Sequence, residues 1–148
     1  KQLDHKKNIS VISLDLNGLK ANNDYLGHER GDLLLKKLAL IMKEVTGSMD
    51  NAILARIGGD EFVIIVEEPM ESQTENLKQE ILKKCEAKTV IDKVSVSIGI
   101  AIKQQENQNI YELLKQADED MYQMKSKTSR EYSAEIVKFV TNKEDYIR

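Results

Sequence analysis

The chain of 148 residues is 41% hydrophobic and 32% charged, which is typical of a globular rather than a disordered chain, and its formal net charge of −3 argues against a broadly basic nucleic-acid-binding surface. This length predicts one domain over residues 1–148 with a core of its own. A single cysteine and two histidines exclude an internal disulfide and a structural zinc site, and no apolar run nears the roughly 18 residues that span a membrane.

In chain order, the first half predicts one strand, two helical segments and a hairpin. Residues 8–16 are apolar and β-branched, which predicts a buried strand that ends close to an aspartate. Residues 19–25 predict a short helical or turn segment, and residues 29–45 repeat apolar side chains at helical spacing. Residues 53–57 and 62–66 flank a turn with two glycines and predict the strands of a β-hairpin.

The second half begins with a helix that runs to about residue 85. Ser72 and Glu75 resemble the capping box that opens such a helix. Residues 93–102 alternate in part and predict a strand. Residues 110–125 predict the clearest helix of the chain, with one apolar face formed by Ile110, Leu113, Leu114, Ala117, Met121 and Met124.

The chain is predicted to close on a short strand over residues 136–140, and the polar residues from about 141 to 148 are expected to fray. The order β–α–α–β–β–α–β–α–β predicts an α+β fold, an α/β sandwich with one mixed, mainly antiparallel central sheet. The hairpin requires antiparallel strands, whereas helical crossovers favour some parallel pairing. Helices are expected to cover largely one face of the sheet.

The turn of the hairpin carries Gly58, Gly59, Asp60 and Glu61. Glycine lets a backbone approach a ligand closely, and two carboxylates with no basic residue inside the turn suit a divalent cation. A solvated turn with exposed acids is the ordinary interpretation of so short a motif. A second acidic segment upstream shifts the balance toward a site for a nucleoside triphosphate.

That upstream segment begins at the end of the first predicted strand and combines Asp15, Gly18, Lys20, Asn23 and Asp32. Gly18 leaves backbone N–H groups free for a phosphate, and Lys20 adds positive charge. Asn23 and Asp32 are placed to reach a polar ligand edge. Each residue alone also suits a turn or the start of a helix, but the whole set followed by an acidic hairpin exceeds what turns require.

At these residues the sequence resembles the GGDEF family, the diguanylate cyclases, over about residues 9–125. Four patterns of the family occur in order and at the right spacing. They are Asp15, Lys20, Asn23-Asp24, Gly27-His28 and Gly31-Asp32; Gly-Gly-Asp-Glu-Phe at residues 58–62; Ser97-Ile98-Gly99; and Ala117-Asp118, Met121-Tyr122 and Lys125.

The resemblance implies a fold akin to nucleotidyl cyclases and polymerase palm domains, and condensation of two GTP molecules into cyclic di-GMP with release of pyrophosphate. It implies an active site between the two subunits of a homodimer, each presenting one GTP. It also implies a bacterial, cytoplasmic domain linked to a sensor or regulatory domain. Any membrane anchor would then lie elsewhere in the parent protein, and no nucleic acid is an expected partner.

By the same resemblance, Mg²⁺ or Mn²⁺ is held by Asp15, Asp60 and the backbone carbonyl of Leu16. Removal of the proton from the attacking 3′-hydroxyl falls to Glu61 or to Asp60. A metal-bound acid has a low proton affinity, which makes Glu61 the easier base if it reaches the hydroxyl. The sequence leaves open whether Glu61 or Asp60 is the base.

The resemblance also assigns the phosphate contacts. Backbone atoms of Gly18, Leu19 and Gly59 are expected to approach the phosphates. Lys20 and Lys125 are expected to offset the phosphate charge, Lys20 within the catalytic set and Lys125 within the substrate-binding set.

Guanine recognition is assigned to Asn23 and Asp32. An aspartate accepts hydrogen bonds from both the N1 and N2 donors of guanine, and adenine lacks that pair, so Asp32 predicts GTP rather than ATP as substrate. His28 is placed near the nucleotide by resemblance, with a structural role in its own turn as the alternative.

The sequence departs from the family pattern at both ends of the site. Asn17 stands where many members have a second aspartate, which keeps an oxygen but removes a charge. Thr128 and Ser129 replace the usual Gly-Arg after the lysine, so the phosphate-binding arginine is displaced or replaced by Lys127 or Arg130.

Two further features of the family are missing. Met49 and Ala52 stand at the two ends of the Arg-x-x-Asp feedback site, so no product inhibition is expected there. The usual N-terminal segment, Asp-x-Leu-Thr-Gly-Leu-x-Asn-Arg, does not precede the first strand, and the domain is expected to lack it. The altered tail after Lys125 and the missing N-terminal segment keep open a catalytically weak or inactive domain that binds GTP as a regulatory module. An interaction domain without nucleotide is a further alternative, against which Asp32 and Asp60 argue.

Overall fold

The computed structural model describes residues 8–147, with side chains described for residues 8–142. The elements are β1 (Ile9–Leu16), α1 (Leu19–Leu26), α2 (His28–Thr46), β2 (Ala52–Arg56), β3 (Glu61–Glu67), α3 (Gln73–Cys85), β4 (Val96–Ile102) and α4 (Ile110–Ile147). Each strand and helix predicted before residue 110 is present. Within this part of the chain, no helix is long and apolar enough to cross a membrane.

The four strands form one sheet in the order β2-β3-β1-β4. Both neighbours of β1 are antiparallel to it, since Asp15 pairs with Glu61 of β3 and with Ser97 of β4, and β2 is antiparallel to β3. The α+β class is therefore confirmed, but the parallel pairing expected from the crossovers is wrong for the described strands. Strands joined by helices do run in the same direction, yet another strand lies between them in each case.

Helices cover both faces of the sheet, which corrects the expectation of one covered face. β1 is buried along its whole length, and its side chains alternate between the faces. Ile12 and Leu14 join the larger core beneath α2 and α3, whereas Val11 joins the smaller core beneath α4. The nearly continuous apolar run of β1 is typical of a strand that is buried on both sides.

The last predicted strand is wrong, because α4 continues through residues 136–140. Tyr132 and Ile136 are buried four residues apart on one face of this helix, so the apolar side chains follow the helical period. No glycine or proline follows Lys125 to end the helix. The predicted fraying from about residue 141 stays a prediction, since side chains 143–148 lie outside the described residues.

Two local predictions are also corrected. Met124 is 59% exposed instead of facing inward, because the buried face of α4 continues from Met121 through Lys125. Ser72 is the N-cap of α3, but its backbone is left-handed, with φ of 65°, and its side chain makes no cap hydrogen bond. N-cap residues normally adopt the β region, from which the hydroxyl reaches the first amides, so the capping box does not form.

Close packing of α4 on β4 sets the position of the functional site. A Cβ built on Gly99 would lie less than 3.0 Å from the carbonyl oxygen of Ala117 and the amide nitrogen of Met121. Only glycine lets the helix backbone approach the strand this closely. The contact holds the neighbouring Asp118 against the central strands of the sheet.

Candidate active site

The predicted acidic residues meet at one end of the central strands. Asp15 and Glu61 are register partners on β1 and β3. The backbone N–H of Leu16 donates to the carbonyl oxygen of Asp60 at 3.3 Å, which fixes the hairpin turn beside the end of β1. The structure thus brings together the side chains of Asp15, Asp60 and Glu61 and the backbone of Leu16.

Helix α4 adds two charged groups to this end of the sheet. The ammonium of Lys125 lies 3.4 Å from Oδ2 of Asp15 and donates to the carbonyl oxygen of Leu16 at 3.0 Å. Asp118 lies two helical turns earlier, with its Oδ1 3.5 Å from the hydroxyl of Ser13. The carboxylates of Asp15, Asp60, Glu61 and Asp118 are called the carboxylate cluster below.

Asp15 is the buried member of the cluster. Its pKa is raised from 3.8 to about 6, chiefly by burial; the charge of Lys125 opposes the shift and the charge of Asp60 adds to it. Its Oδ1 is buried and has no hydrogen-bond partner among the described residues. A buried oxygen that bears negative charge and has no donor is costly, so this atom is poised to accept a cation.

Glu61 holds its proton more tightly than an ordinary carboxyl. Its pKa is raised from 4.5 to about 7. Burial is the largest cause, and a hydrogen bond with Asp118 and the charges of Asp118 and Asp15 are the next causes. The hydroxyl of Ser13 lies 3.5 Å from Oε1 of Glu61 and partly opposes this shift. The side chain therefore titrates near neutral pH, in the range that suits a general base.

The donor atoms at Asp15 and Asp60 fit a hard divalent cation. The carboxylate of Asp60 interacts with that of Asp15, whose Oδ1 is unpartnered among the described residues, and the carbonyl oxygen of Leu16 accepts from the ammonium of Lys125. Among the side chains that the structure describes, those of residues 8–142, no group of three or more His, Cys, Asp or Glu is placed to bind a metal ion. The two carboxylates of Asp15 and Asp60 nevertheless suit Mg²⁺, which is commonly held by one or two carboxylates together with oxygens of the substrate.

Asn17 serves the structure of the site through both ends of its amide. Its Oδ1 accepts from the hydroxyl of Ser97 at 2.9 Å and from the ammonium of Lys125 at 3.4 Å. Its Nδ2 donates to the hydroxyl of Ser95 at 3.1 Å. The amide is fully buried and joins β4 to the end of β1, so its oxygen is already occupied by two donors.

The turn between β1 and α1 presents the backbone expected at the phosphates. Gly18 is the N-cap of α1 in a left-handed conformation, with φ of 64°, and no side chain caps this helix end. Leu19 follows half-buried and Lys20 exposed. The first amides of a helix lack partners within the helix and attract anions, so this turn offers donors to a phosphate.

The residues assigned to guanine lie where α1 meets α2. Oδ1 of Asn23 accepts from the backbone N–H of Gly31 at 2.8 Å, which leaves the Nδ2 group as its donor. His28 is the exposed first residue of α2, and Asp32 lies exposed one turn later. Asp32 lines a surface pocket of about 520 Å³ together with Leu26, Glu29, Arg30, Leu33 and Lys36. No described contact joins these residues to the carboxylate cluster.

Arg56 holds the hairpin turn through two backbone carbonyls. Its guanidinium donates to the carbonyl oxygens of Gly58 at 3.2 Å and Gly59 at 2.5 Å, and lies 5.8 Å from the ring centroid of Phe62. The carbonyl of Gly59 therefore points toward the arginine. This arrangement orders the turn that carries Asp60.

Sequence reasoning missed Asp118, Ser13 and Arg56 as parts of the site. Asp118 precedes Lys125 by seven residues, two helical turns, which puts both on one face of α4. Ser13 precedes Asp15 by two residues on one strand, which likewise gives both side chains the same face. These spacings were the available signals, whereas nothing in the sequence indicated that Arg56 folds back onto the turn.

Neither candidate for the displaced arginine reaches the carboxylate cluster through a described contact. Lys127 is exposed, with its ammonium 4.0 Å from the carboxylate of Glu131 on the same helix. Arg130 donates through Nε to the carbonyl oxygen of Ser126 at 3.2 Å. Both side chains are engaged along the surface of α4.

Comparison with known proteins agrees with this geometry. A family model described as "Diguanylate cyclase, GGDEF domain" matches residues 1–131. The chain is 38% identical over 131 residues to the signaling protein YkoW of Bacillus subtilis, a match that covers 84% of this chain and 16% of that protein. It is 34% identical over 130 residues to the bifunctional diguanylate cyclase/cyclic di-GMP phosphodiesterase MucR of Pseudomonas aeruginosa, covering 85% of this chain and 19% of MucR. The chain thus spans less than a fifth of either relative.

Among solved structures, the active GGEEF domain of a diguanylate cyclase from Vibrio cholerae is similar to this chain. The two share 25% sequence identity and superpose with a TM-score of 0.71, covering 82% of this chain and 78% of that chain.

Proposed function

Since this chain belongs to the GGDEF domain family of diguanylate cyclases, we propose that it condenses two GTP molecules into cyclic di-GMP and releases pyrophosphate. The observation that carries this proposal is the meeting of Asp15 and Glu61 on paired strands, with the ammonium of Lys125 3.4 Å from Asp15. Attack of a ribose 3′-hydroxyl on an α-phosphate needs positioned charges more than covalent chemistry, and this end of the sheet concentrates them.

Asp15, Asp60 and the carbonyl oxygen of Leu16 are proposed to hold Mg²⁺ or Mn²⁺. The bound cation supplies charge stabilisation at the phosphate under attack. The unpartnered Oδ1 of Asp15 supports this assignment, since a buried carboxylate oxygen without a donor needs a positive partner. Lys125 places a second positive charge beside the same carboxylate, where it suits the phosphate oxygens of GTP.

Glu61 is proposed as the base that accepts the proton of the 3′-hydroxyl, with Asp60 as the alternative. Its pKa of about 7 gives it the proton affinity that this step needs at neutral pH. Asp60 is assigned to the cation, which lowers its proton affinity. Lys20, exposed on α1, is proposed to offset charge on the phosphates.

The nucleotide is proposed to lie along α1, with phosphates at one end and guanine at the other. Gly18, Leu19 and Gly59 would contact the phosphates through backbone atoms, supported by the uncapped start of α1. Asn23 and Asp32 are assigned to guanine, supported by the free Nδ2 group of Asn23 and the exposure of Asp32. His28 flanks the same end of the site.

Each subunit is proposed to hold one GTP, so that the reaction takes place between the two subunits of a homodimer. The described part of one chain carries one carboxylate cluster and one set of residues assigned to guanine, whereas the product joins two nucleotides. A linked sensor or regulatory domain is the proposed control of this assembly, since the chain spans only 16% and 19% of two relatives that it matches.

A regulatory module that binds GTP without cyclising it is the second candidate function. The observation that favours it is the position of Arg130, whose Nε donates to the carbonyl oxygen of Ser126 on its own helix. Lys127 is engaged with Glu131 in the same way. If neither side chain turns toward the triphosphate, GTP would bind with one cationic contact fewer.

Pyrophosphate release distinguishes these two functions. The chain, fused to a dimerising coiled coil, would be incubated with GTP or ATP and Mg²⁺, alongside an Asp32→Asn variant that keeps the shape of the carboxylate. Cyclase activity predicts release of pyrophosphate from GTP, little from ATP, and a loss of about 10- to 100-fold in kcat/KM for GTP in the variant. Saturable binding of GTP without pyrophosphate release would support the regulatory module instead.

A further inference from the structure

Tyr132 is a fully buried side chain on the part of α4 that continues past the motifs of the family. It is 1% exposed, and its Cδ2 atom lies 2.5 Å from the position that a Cβ on Gly18 would take. The hydroxyl of Ser133 lies 3.5 Å from the same position. The inner side of the β1–α1 turn therefore packs against the extension of α4.

A chain of hydrogen bonds starts at this contact. Nδ2 of Asn22 donates to the carbonyl oxygen of Gly18 at 2.8 Å and to the hydroxyl of Tyr132 at 3.1 Å. Oδ1 of Asn22 accepts from Nε of Arg30 at 3.3 Å, and the guanidinium of Arg30 also donates to the carbonyl oxygen of Ile91. The amide of Asn22 is completely buried, so each of its polar atoms depends on these partners.

The same chain of bonds reaches both ends of the proposed nucleotide site. Gly18 marks the end assigned to the phosphates. Asn22 precedes Asn23, and Arg30 precedes Gly31. At the end assigned to guanine, the backbone N–H of Gly31 donates to Oδ1 of Asn23 at 2.8 Å. Displacing Tyr132 would remove the ring that packs against Gly18 and would leave one N–H of the buried Asn22 amide without its partner.

Anchoring α4 to the domain would not by itself require this arrangement. Ile136, one turn further on, is also fully buried and supplies an apolar anchor without any polar atom. A buried tyrosine hydroxyl and asparagine amide are costly unless their hydrogen bonds are made. Their presence behind Gly18 indicates a function in fixing the geometry of the turn.

We propose that Tyr132 and Asn22 are positioning residues, which hold the β1–α1 turn in the conformation that receives the phosphates of GTP. This inference rests on the proposed function, because it concerns the same nucleotide. Tyr132 acts on the backbone of Gly18 from the side opposite the ligand and makes no contact with the reacting atoms. The extension of α4 is thereby part of the active-site structure.

The test is the affinity of the chain for GTP in Mg²⁺, measured by calorimetry beside the melting temperature of each variant. Tyr132→Phe keeps the ring against Gly18 and removes only the hydroxyl, and it is expected to weaken GTP binding roughly 3- to 10-fold. Ile136→Val is the matched control on the same helix face. It is expected to lower the melting temperature and leave GTP affinity unchanged.

A pair of substitutions tests the contact itself. Gly18→Ala would strain the left-handed turn and meet the ring of Tyr132, and the smaller side chain of Tyr132→Leu removes that collision. The double variant is therefore expected to bind GTP more tightly than the product of the two single effects predicts.

Unchanged GTP affinity in Tyr132→Phe, together with independent effects in the double variant, would overturn the positioning role and leave the proposed function standing. A wild-type chain that binds no GTP would overturn both. The kinetic readout in an active dimer is a rise in KM for GTP in Tyr132→Phe that exceeds any fall in kcat.

Discussion

The ammonium of Lys125 lies 3.4 Å from Oδ2 of Asp15, while Oδ1 of the same carboxylate is buried and has no partner among the described residues. One oxygen is thus neutralised by the protein and the other is left for a cation. This division links the end of β1 to the middle of α4. It also gives the site a dependence on pH and on metal that can be measured.

In the metal-free protein, Asp15 is predicted to make folding less favourable as pH rises from about 4 to about 6. Its pKa is raised from 3.8 to about 6, mainly by burial, so the folded state keeps a proton that the unfolded chain releases. The stability that this retained proton contributes is complete below the unfolded pKa of Asp15, and it is lost as pH rises through the folded pKa. Urea unfolding in EDTA at several pH values measures it.

The matched variant for this prediction is Asp15→Asn. It cannot ionise, so its stability is expected to fall less between pH 4 and pH 7, and at pH 7 the metal-free variant is expected to be more stable than the wild type. Added Mg²⁺ is expected to stabilise only the wild type. Identical pH slopes for the two proteins would contradict the assignment of the titration to Asp15.

Asp118→Asn is predicted to lower the pKa of Glu61 from about 7 toward its ordinary value of 4.5. After burial, the hydrogen bond and the charge of Asp118 are the largest causes of the raised pKa, and the asparagine removes the charge. NMR titration of the Glu61 carboxyl carbon in the metal-free protein measures the change. Glu119→Gln, which alters an exposed neighbouring acid, is the control. A Glu61 pKa that stays near 7 would contradict the contribution assigned to Asp118.

Gly99→Ala is predicted to destabilise the fold by about 1–3 kcal/mol, because the added methyl group meets the backbone of α4 at Ala117 and Met121. Chemical denaturation measures the loss. Gly58→Ala is the control for stability, since nothing lies within 4 Å of a Cβ at that position. Equal stabilities for the two variants would mean that α4 shifts away from β4 at little cost.

Cyclic di-GMP is predicted not to inhibit the chain through the feedback site of the family, because Met49 and Ala52 replace its arginine and aspartate. Initial rates of GTP turnover measured over a range of product concentrations test this. The double variant Met49→Arg/Ala52→Asp restores both side chains and is expected to gain inhibition. Potent non-competitive inhibition of the wild-type chain would refute the prediction.

The carboxylate cluster was largely predictable because strand period and motif spacing fix where side chains point. Asp15 ends a strand and Asp60 follows a two-glycine turn, so the pairing of β1 with β3 brings them together. Asp118 was accessible in the same way from its seven-residue spacing to Lys125. The class of the fold followed from the order of the elements.

The course of α4 beyond Lys125 was not predictable by the same means. The apolar residues of 136–140 also suit a short strand, and only their contacts with distant residues decide between strand and helix. Tyr132 meets Gly18 and Asn22 more than a hundred residues away along the chain. Such tertiary contacts override local propensity, which is why the last strand was wrongly expected.

The most direct test of the central proposal is identification of the product by mass spectrometry, using the chain fused to a dimerising coiled coil and incubated at high concentration with GTP and Mn²⁺. Asp60→Ala, which removes a proposed ligand of the cation, is the control. The proposed function predicts cyclic di-GMP from the wild-type dimer and none from the variant. Absence of cyclic di-GMP from a dimeric wild-type protein that binds GTP would contradict it.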